Sequence, residues 1–371
     1  MRSRTAGLAI FATAAVATLF IAFPRAIGAG SPDGWSPRAA AGYLDGRLNW
    51  WLTWPNAARD HDTACVSCHT ALPYALARPA LRSALRESEV AAPERAMLSN
   101  VLKRVQMWKD VEPFYPDQTR GLPKSSESRG TESILNALIL ATRDAQTKSL
   151  SDDARQALAN MWALQFKAGD LKGAWAWLNF HYEPWESTDS PYYGATLAAL
   201  AIGRAPGGYA ASADIKDQVT LLREYLQRRV DSETLFNRAM VLWASGDIPG
   251  LITEKQQRAI VDAALARQHG DGGWTTAELG SYKRVDGTEE EAATDGFATA
   301  IVTLALQAAA VPASDAHVKK ARAWLAEHQD SATGMWFAPS LNKNRDRATD
   351  VGKFMSDAAT AYAALALTTN R

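Results

Sequence analysis

Along most of the chain apolar residues recur three and four positions apart, the period of a helix that buries one face. Two kinds of helix alternate. One is apolar on nearly every side: ILNALILA after Thr131-Glu132-Ser133, PYYGATLAALA after Thr188-Asp189-Ser190, FATAIVTLAL after Thr294-Asp295-Gly296, and AATAYAALAL after Ser356-Asp357. A looser copy runs from Asp231 to Ala244, and a sixth follows Asp62-Thr63-Ala64 as CVSCHTALPYALARPAL. The other kind carries a single apolar stripe, at 93–108, 151–165, 213–229, 253–268 and 315–329. Runs of β-branched residues are scarce and no segment reads as a sheet. Helix starts of the first kind recur at roughly 45 to 70 residues, so the chain is an internal repeat of helix pairs with loop insertions.

Three of the striped helices end in a shared punctuation: Gln165 then Gly173-Ala174-Trp175, Gln268 then Gly273-Trp274, and Gln329 then Gly334-Met335-Trp336. Glycine permits a tight turn, tryptophan offers a large face to the next repeat, and glutamine can cap free helix-end groups. Together with Arg322-Ala323-Trp324-Leu325, this punctuation resembles the QW repeat of squalene and oxidosqualene cyclases. Residues 40–370 resemble the α/α toroid of the terpenoid cyclase and prenyltransferase superfamily. The resemblance implies an all-α fold, an (α/α)6 toroid of about twelve helices with six inner and six outer, in a single domain over 31–371. Every inner helix would then start at one face of the ring. Cys65, Cys68, Glu132, Asp189, Asp295 and Asp357 are expected to gather at that mouth, under loops 54–63, 109–130, 167–187, 269–293 and 330–355.

Composition adds little to the fold and something to the setting. The 371 residues are 47% hydrophobic and 22% charged, an ordinary globular balance with ample core. Forty basic residues match forty acidic ones, so nothing draws the chain to nucleic acid. Residues 1–30 differ from the rest: Arg2 and Arg4, an apolar run from Ala6 to Phe23, and the small-residue Ala26-Ile27-Gly28 form an export signal, either cleaved or kept as an N-terminal anchor. A soluble periplasmic or otherwise extracytoplasmic body is expected, attached to a membrane at most through that anchor.

The only two cysteines lie in Cys65-Val66-Ser67-Cys68-His69. This C-x-x-C-H spacing sets two thiols for addition to the two vinyl groups of one haem, followed by a histidine for the iron. One covalent haem c on Cys65, Cys68 and His69 is therefore expected at the opening of the first inner helix, and covalent attachment agrees with export. Two other readings use the same residues. A redox dithiol lacks its βαβ setting here. Zinc held by His61, Cys65, Cys68 and His69 would be cramped in sequence, although prenyltransferases of the superfamily bind zinc near this mouth through Asp, Cys and His. For a sixth iron ligand the candidates are His181, preferred for its place in the aromatic loop NFHYEPWESTDSPYY, and His61, His269, Met107, Met335 and Met355.

Squalene-hopene cyclases protonate an alkene with an Asp of a D-x-D-D-T-A motif. Here the corresponding stretch is Arg59-Asp60-His61-Asp62-Thr63-Ala64, with His61 where the family carries its acid. The motif is broken, and those cyclases enclose their substrate between two toroids where this chain has one, so cyclisation is not implied. His61, Asp62, Asp189 and Asp295 remain candidate catalytic residues. An acid in the first turn after Thr or Ser is also what helix capping alone produces. Expected partners are a redox protein or a hydrophobic, isoprenoid-like small molecule. Three functions stay open: a haem-dependent oxidoreductase, an electron-transfer or binding cytochrome, and a zinc-dependent or metal-free enzyme of the terpenoid cyclase or transferase kind.

Overall fold

A computed structural model describes residues 34–369; the expected export signal at 1–30 lies outside the described residues. Twelve α-helices form two concentric rings. The inner ring is α2 (Ala71–Leu85), α4 (Ser125–Ala145), α6 (Ser190–Arg204), α8 (Leu235–Ser245), α10 (Gly296–Ala308) and α12 (Phe354–Thr368). Each packs on the next, and α12 closes the ring against α2. The outer ring is α1 (Pro37–Thr53), α3 (Ala92–Gln106), α5 (Asp152–Ala163), α7 (Lys216–Arg229), α9 (Glu254–Leu265) and α11 (Ala316–Glu327). This is the all-α toroid.

The apolar pattern explains which helix goes where. In α10 every residue from Gly296 to Gln307 is buried, as a helix surrounded by protein requires. In α9 only Ile260 and Ala264 are buried, and its start is held by a capping box between Thr253 and Gln256. Two boundaries differ from the sequence expectation. Helix α4 begins at Ser125, two turns before Thr131, so Glu132 lies inside the helix. Helix α2 begins at Ala71, so the Cys65–His69 motif forms the irregular approach to the helix and not its first turn. A two-residue ribbon, β1 (Ala58–Arg59) paired with β2 (Thr63–Ala64), precedes the motif.

The repeated punctuation has a common geometry. Gln165, Gln268 and Gln329 each donate to a carbonyl of their own turn, at Gly173, Gly272 and Gly334. Each also donates to a carbonyl at the start of the next outer helix, at Gln218, His317 and Ser36. The glutamines thus staple neighbouring outer helices together, and Gln329 closes the outer ring by bonding the N-cap of α1. The indoles of Trp175, Trp274 and Trp336 point back and donate to the carbonyls of Met161, Ala264 and Leu325 at the ends of their own outer helices. Glycine is required at these turns: Gly334 has φ +82°, and a Cβ there would lie 2.4 Å from the Ala39 carbonyl oxygen of α1. The equivalent residue in the middle seam is Gly272, φ +97°, and not Gly273.

The axis of the ring is filled. Tyr193, Phe236, Phe297 and Tyr362 stack in sequence with ring centroids 5.6 to 6.1 Å apart, all buried. Cavities lie at both ends of the ring. One, of about 320 Å³, lies among the C-terminal halves of the inner helices, with Leu76, Arg204, Trp243 and Gln307 in its wall. Another lies at the N-terminal mouth. No described helix is long and apolar enough to cross a membrane.

Candidate functional site

The approach to α2 is pinned from three sides. Asn100 of α3 clamps the backbone of Ala64, accepting from its N–H at 2.7 Å and donating to its carbonyl at 3.0 Å. The Cys65 N–H donates to the Ala57 carbonyl. The Trp51 indole of α1 donates to the Cys65 carbonyl at 2.7 Å. Beyond the motif, the Ser67 hydroxyl accepts from the N–H groups of Thr70 and Ala71 and so caps the start of α2.

These restraints aim the motif into a chamber of about 210 Å³ at the mouth, walled by Trp51, Trp54, Trp185 and Phe354. Cys68 and His69 line it, and a narrower recess with shared walls adds Cys65. Both thiols are free. Burial pushes the Cys65 thiol up to about 11 and Cys68 well above its ordinary value, so both are protonated in the resting protein. The His69 ring stacks on Phe354 at 3.8 Å and meets Trp51 edge-on at 4.9 Å. Burial, reinforced by the nearby Arg47 charge, lowers its pKa to about 3, so the imidazole is neutral. Its Nδ1 lies 2.8 Å from the Thr70 hydroxyl, which leaves Nε2 without a hydrogen-bond partner among the described residues.

The other sequence candidates distribute as follows. Met355, on the first turn of α12, is buried in the chamber wall. His181 is exposed, with φ +59°, and does not line the chamber. His61 and Asp62 sit exposed in the tight turn of the β1–β2 ribbon, both with positive φ, and His61 pairs with Asp60 at 2.8 Å. His269 pairs with Glu278 in a separate surface cleft. Met107 ends α3 and Met335 lies in the last seam turn. Among the described residues no three His, Cys, Asp or Glu side chains converge as a metal site, and His61 stays apart from the motif, so the four-ligand zinc arrangement is not formed.

The acids do not make a free carboxylate ring at the mouth. Glu132 is buried and receives the Arg104 guanidinium of α3 at 2.5 and 3.1 Å. Asp357 is buried and receives Arg47 of α1 at 2.7 and 3.0 Å, Tyr43 at 2.8 Å and Thr70 at 2.7 Å. An unpaired carboxylate in either place would be strongly disfavoured, and the outer helices supply the compensating arginines. Asp295 does cap α10, accepting from the N–H groups of Phe297 and Ala298 and from Thr276. Burial still lifts its pKa to about 6 against those bonds. Asp189 is exposed at the start of α6 without a capping bond.

Sequence reasoning missed Glu186. It lines both the chamber and the recess, no hydrogen bond reaches its carboxyl among the described residues, and burial raises its pKa to about 7 despite Arg120 and Lys124. It is one acid among several in an aromatic loop, and nothing local marks it. The Trp50-Trp51-Leu52-Thr53-Trp54 cluster, by contrast, was a visible sign of the aromatic wall.

Among solved structures the chain is similar to the apo type II terpene cyclase MstE from Scytonema, with 13% identity and a TM-score of 0.46 over 90% of this chain and 99% of that one. It is likewise similar to a single-residue variant of that cyclase in complex with its substrate, geranylgeranyl dihydroxybenzoate, with 13% identity and a TM-score of 0.45 over 90% and 99% of the two chains. No family model and no curated protein matches the chain.

Proposed function

We propose that this protein is an exported c-type haem protein, periplasmic or otherwise extracytoplasmic, that carries its haem at the N-terminal mouth of the toroid. The observation that carries the proposal is the convergence of Cys65, Cys68 and His69 on one aromatic chamber, with the imidazole neutral and its Nε2 left for a ligand. The donor set fits. Cys65 and Cys68 would hold the haem through thioether bonds formed by addition of each S–H across one vinyl group, and His69 Nε2 would serve as the iron ligand. The chamber is smaller than the roughly 300–1,000 Å³ of cofactor and ligand pockets, so attachment displaces wall side chains. Bound haem supplies one-electron chemistry at iron. The protein's own contribution is an aromatic, largely dry wall and a fixed imidazole.

The buried thiols speak against a redox dithiol, which works through a stabilised thiolate. Met355 in the chamber wall favours an electron-transfer role with a second protein ligand, and a redox protein is then the partner. The packed aromatic rings of Tyr193, Phe236, Phe297 and Tyr362 and the small volume of the chamber support a small apolar guest there over a long isoprenoid chain. The test is expression of the full chain with a c-haem maturation system. A haem-staining band that survives denaturing electrophoresis is expected, and its absence overturns the proposal. In the loaded protein, reduced iron that ignores carbon monoxide in wild type but binds it in Met355→Ala supports Met355 ligation; rapid carbon monoxide binding in wild type supports an open coordination site.

A further inference from the structure

A histidine that binds metal is usually held by a partner on its other ring nitrogen, which sets the tautomer and strengthens the ligand. His69 has such a partner in an uncommon form. Its Nδ1 lies 2.8 Å from the hydroxyl of Thr70, the next residue, and that hydroxyl lies 2.7 Å from Asp357 Oδ2. Asp357 receives three further donors: Arg47 Nε on Oδ1 at 2.7 Å, Arg47 Nη2 on Oδ2 at 3.0 Å, and the Tyr43 hydroxyl on Oδ1 at 2.8 Å. Arg47 is itself held by Asp350, through its carboxylate and its backbone carbonyl.

The directions of these bonds follow from proton counting. Arg47 can only donate and is always charged, so the carboxylate that takes two of its N–H groups is the ionised partner and only accepts, and the Thr70 and Tyr43 hydroxyls donate to it. Thr70 has a single hydroxyl hydrogen, and it goes to Asp357. The Thr70 oxygen can then only accept from His69, which places the imidazole hydrogen on Nδ1 and the lone pair on Nε2. No other tautomer satisfies both bonds.

We infer that Thr70 and Asp357 are positioning residues for His69: the relay from Nδ1–H through the Thr70 hydroxyl to the Arg47-paired carboxylate presets Nε2 as a metal ligand and tunes its donor strength. The relay spans the first outer helix, the approach to the first inner helix and the last inner helix, so the closure of the ring assembles it. The inference rests on the haem reading for its purpose, but not for its test.

The first measurement uses the haem-free full chain and nitrogen NMR of the imidazoles, with the His69 signals assigned by their loss in His69→Gln. Wild type is expected to show protonated Nδ1 and bare Nε2. Thr70→Val, which keeps the side-chain shape and removes the hydroxyl, is expected to shift His69 toward the opposite tautomer, and Thr70→Ser to restore it. A wild-type ring protonated on Nε2, or an unchanged tautomer in Thr70→Val, overturns the inference. The second measurement is the reduction potential of the haem-loaded protein. Loss of the Nδ1 bond weakens the ligand, so Thr70→Val is expected to raise the potential and Thr70→Ser to return it to the wild-type value; identical potentials in all three overturn the tuning role. Failure of haem attachment sinks the functional proposal while leaving the tautomer result decisive. Asp357→Asn leaves Arg47 buried beside a neutral group and threatens the fold, so the Thr70 variants carry the test.

Discussion

Two kinds of connection lead from an outer helix to an inner one, and they use tryptophan in opposite senses. In the three seams the indole belongs to the connection and donates back to its own outer helix, while glutamine reaches forward to the next. In the 54–70 connection the indole belongs to the outer helix, and Trp51 donates forward to the Cys65 carbonyl. The seam tryptophans are buried and their hydrogen bonds are spent in holding helices together. At the motif the same kind of bond holds a backbone whose side chains are turned into a chamber. Repetition marks the stabilising seams of the ring, and of the three outer-to-inner connections that lack the repeat, the one at 54–70 turns thiols and an imidazole into a chamber.

The sharpest way to separate the two regions is to empty the motif. Cys65→Ala with Cys68→Ala is expected to abolish the covalent haem band on a denaturing gel and to cost less than about 2 kcal/mol of folding stability, because only small side chains are trimmed. A large drop in the urea midpoint would show that the motif is structural after all. The converse is Trp336→Ala in the closing seam, where loss of a fully buried indole and its bond to Leu325 is expected to cost about 3–5 kcal/mol by urea unfolding. Whatever folds should still attach haem at wild-type stoichiometry.

Asp295 offers a pH test of the middle seam. Its folded pKa, about 6, lies above the usual 3.8, so the native state binds the proton more tightly than the unfolded chain. Stability is then greatest below about pH 4 with respect to this group, falls as pH rises toward about 6, and is flat beyond. The slope totals on the order of 3 kcal/mol, from 1.36 kcal/mol per unit. Unfolding free energies measured across that window should show the fall in wild type and lack it in Asp295→Asn. The smallest effect belongs to a single staple: Gln268→Ala removes bonds to the Gly272 and His317 carbonyls and is expected to cost about 1–2 kcal/mol, again by urea midpoint.

Much of this was legible in one dimension because it is periodic. The apolar runs named six inner helices, the striped segments five outer ones, and Gln-Gly-Trp named the seams, since each of these depends on neighbours within a turn or two. Other features escaped for equally local reasons. The first outer helix escaped the striped set although Ser36 caps it and Pro37 opens it, and Glu132 reads as a helix-start acid although α4 begins two turns earlier. His181 looked like a ligand because its loop is aromatic, but its backbone turns it to solvent. Met355 was one sulfur among several until the closure of α12 against α2 brought it to the chamber.

By itself, then, the sequence determined the two helix types, their alternation, the seams, and the three donors Cys65, Cys68 and His69, because all of these are set by spacing along the backbone. Tertiary structure alone decided that the ring axis is filled, that Glu132 and Asp357 face arginines from α3 and α1, and that His69 is tied through Thr70 to a residue 287 positions later. Those contacts depend on how the last helix pair meets the first, and no local pattern encodes which side chains face each other across that closure.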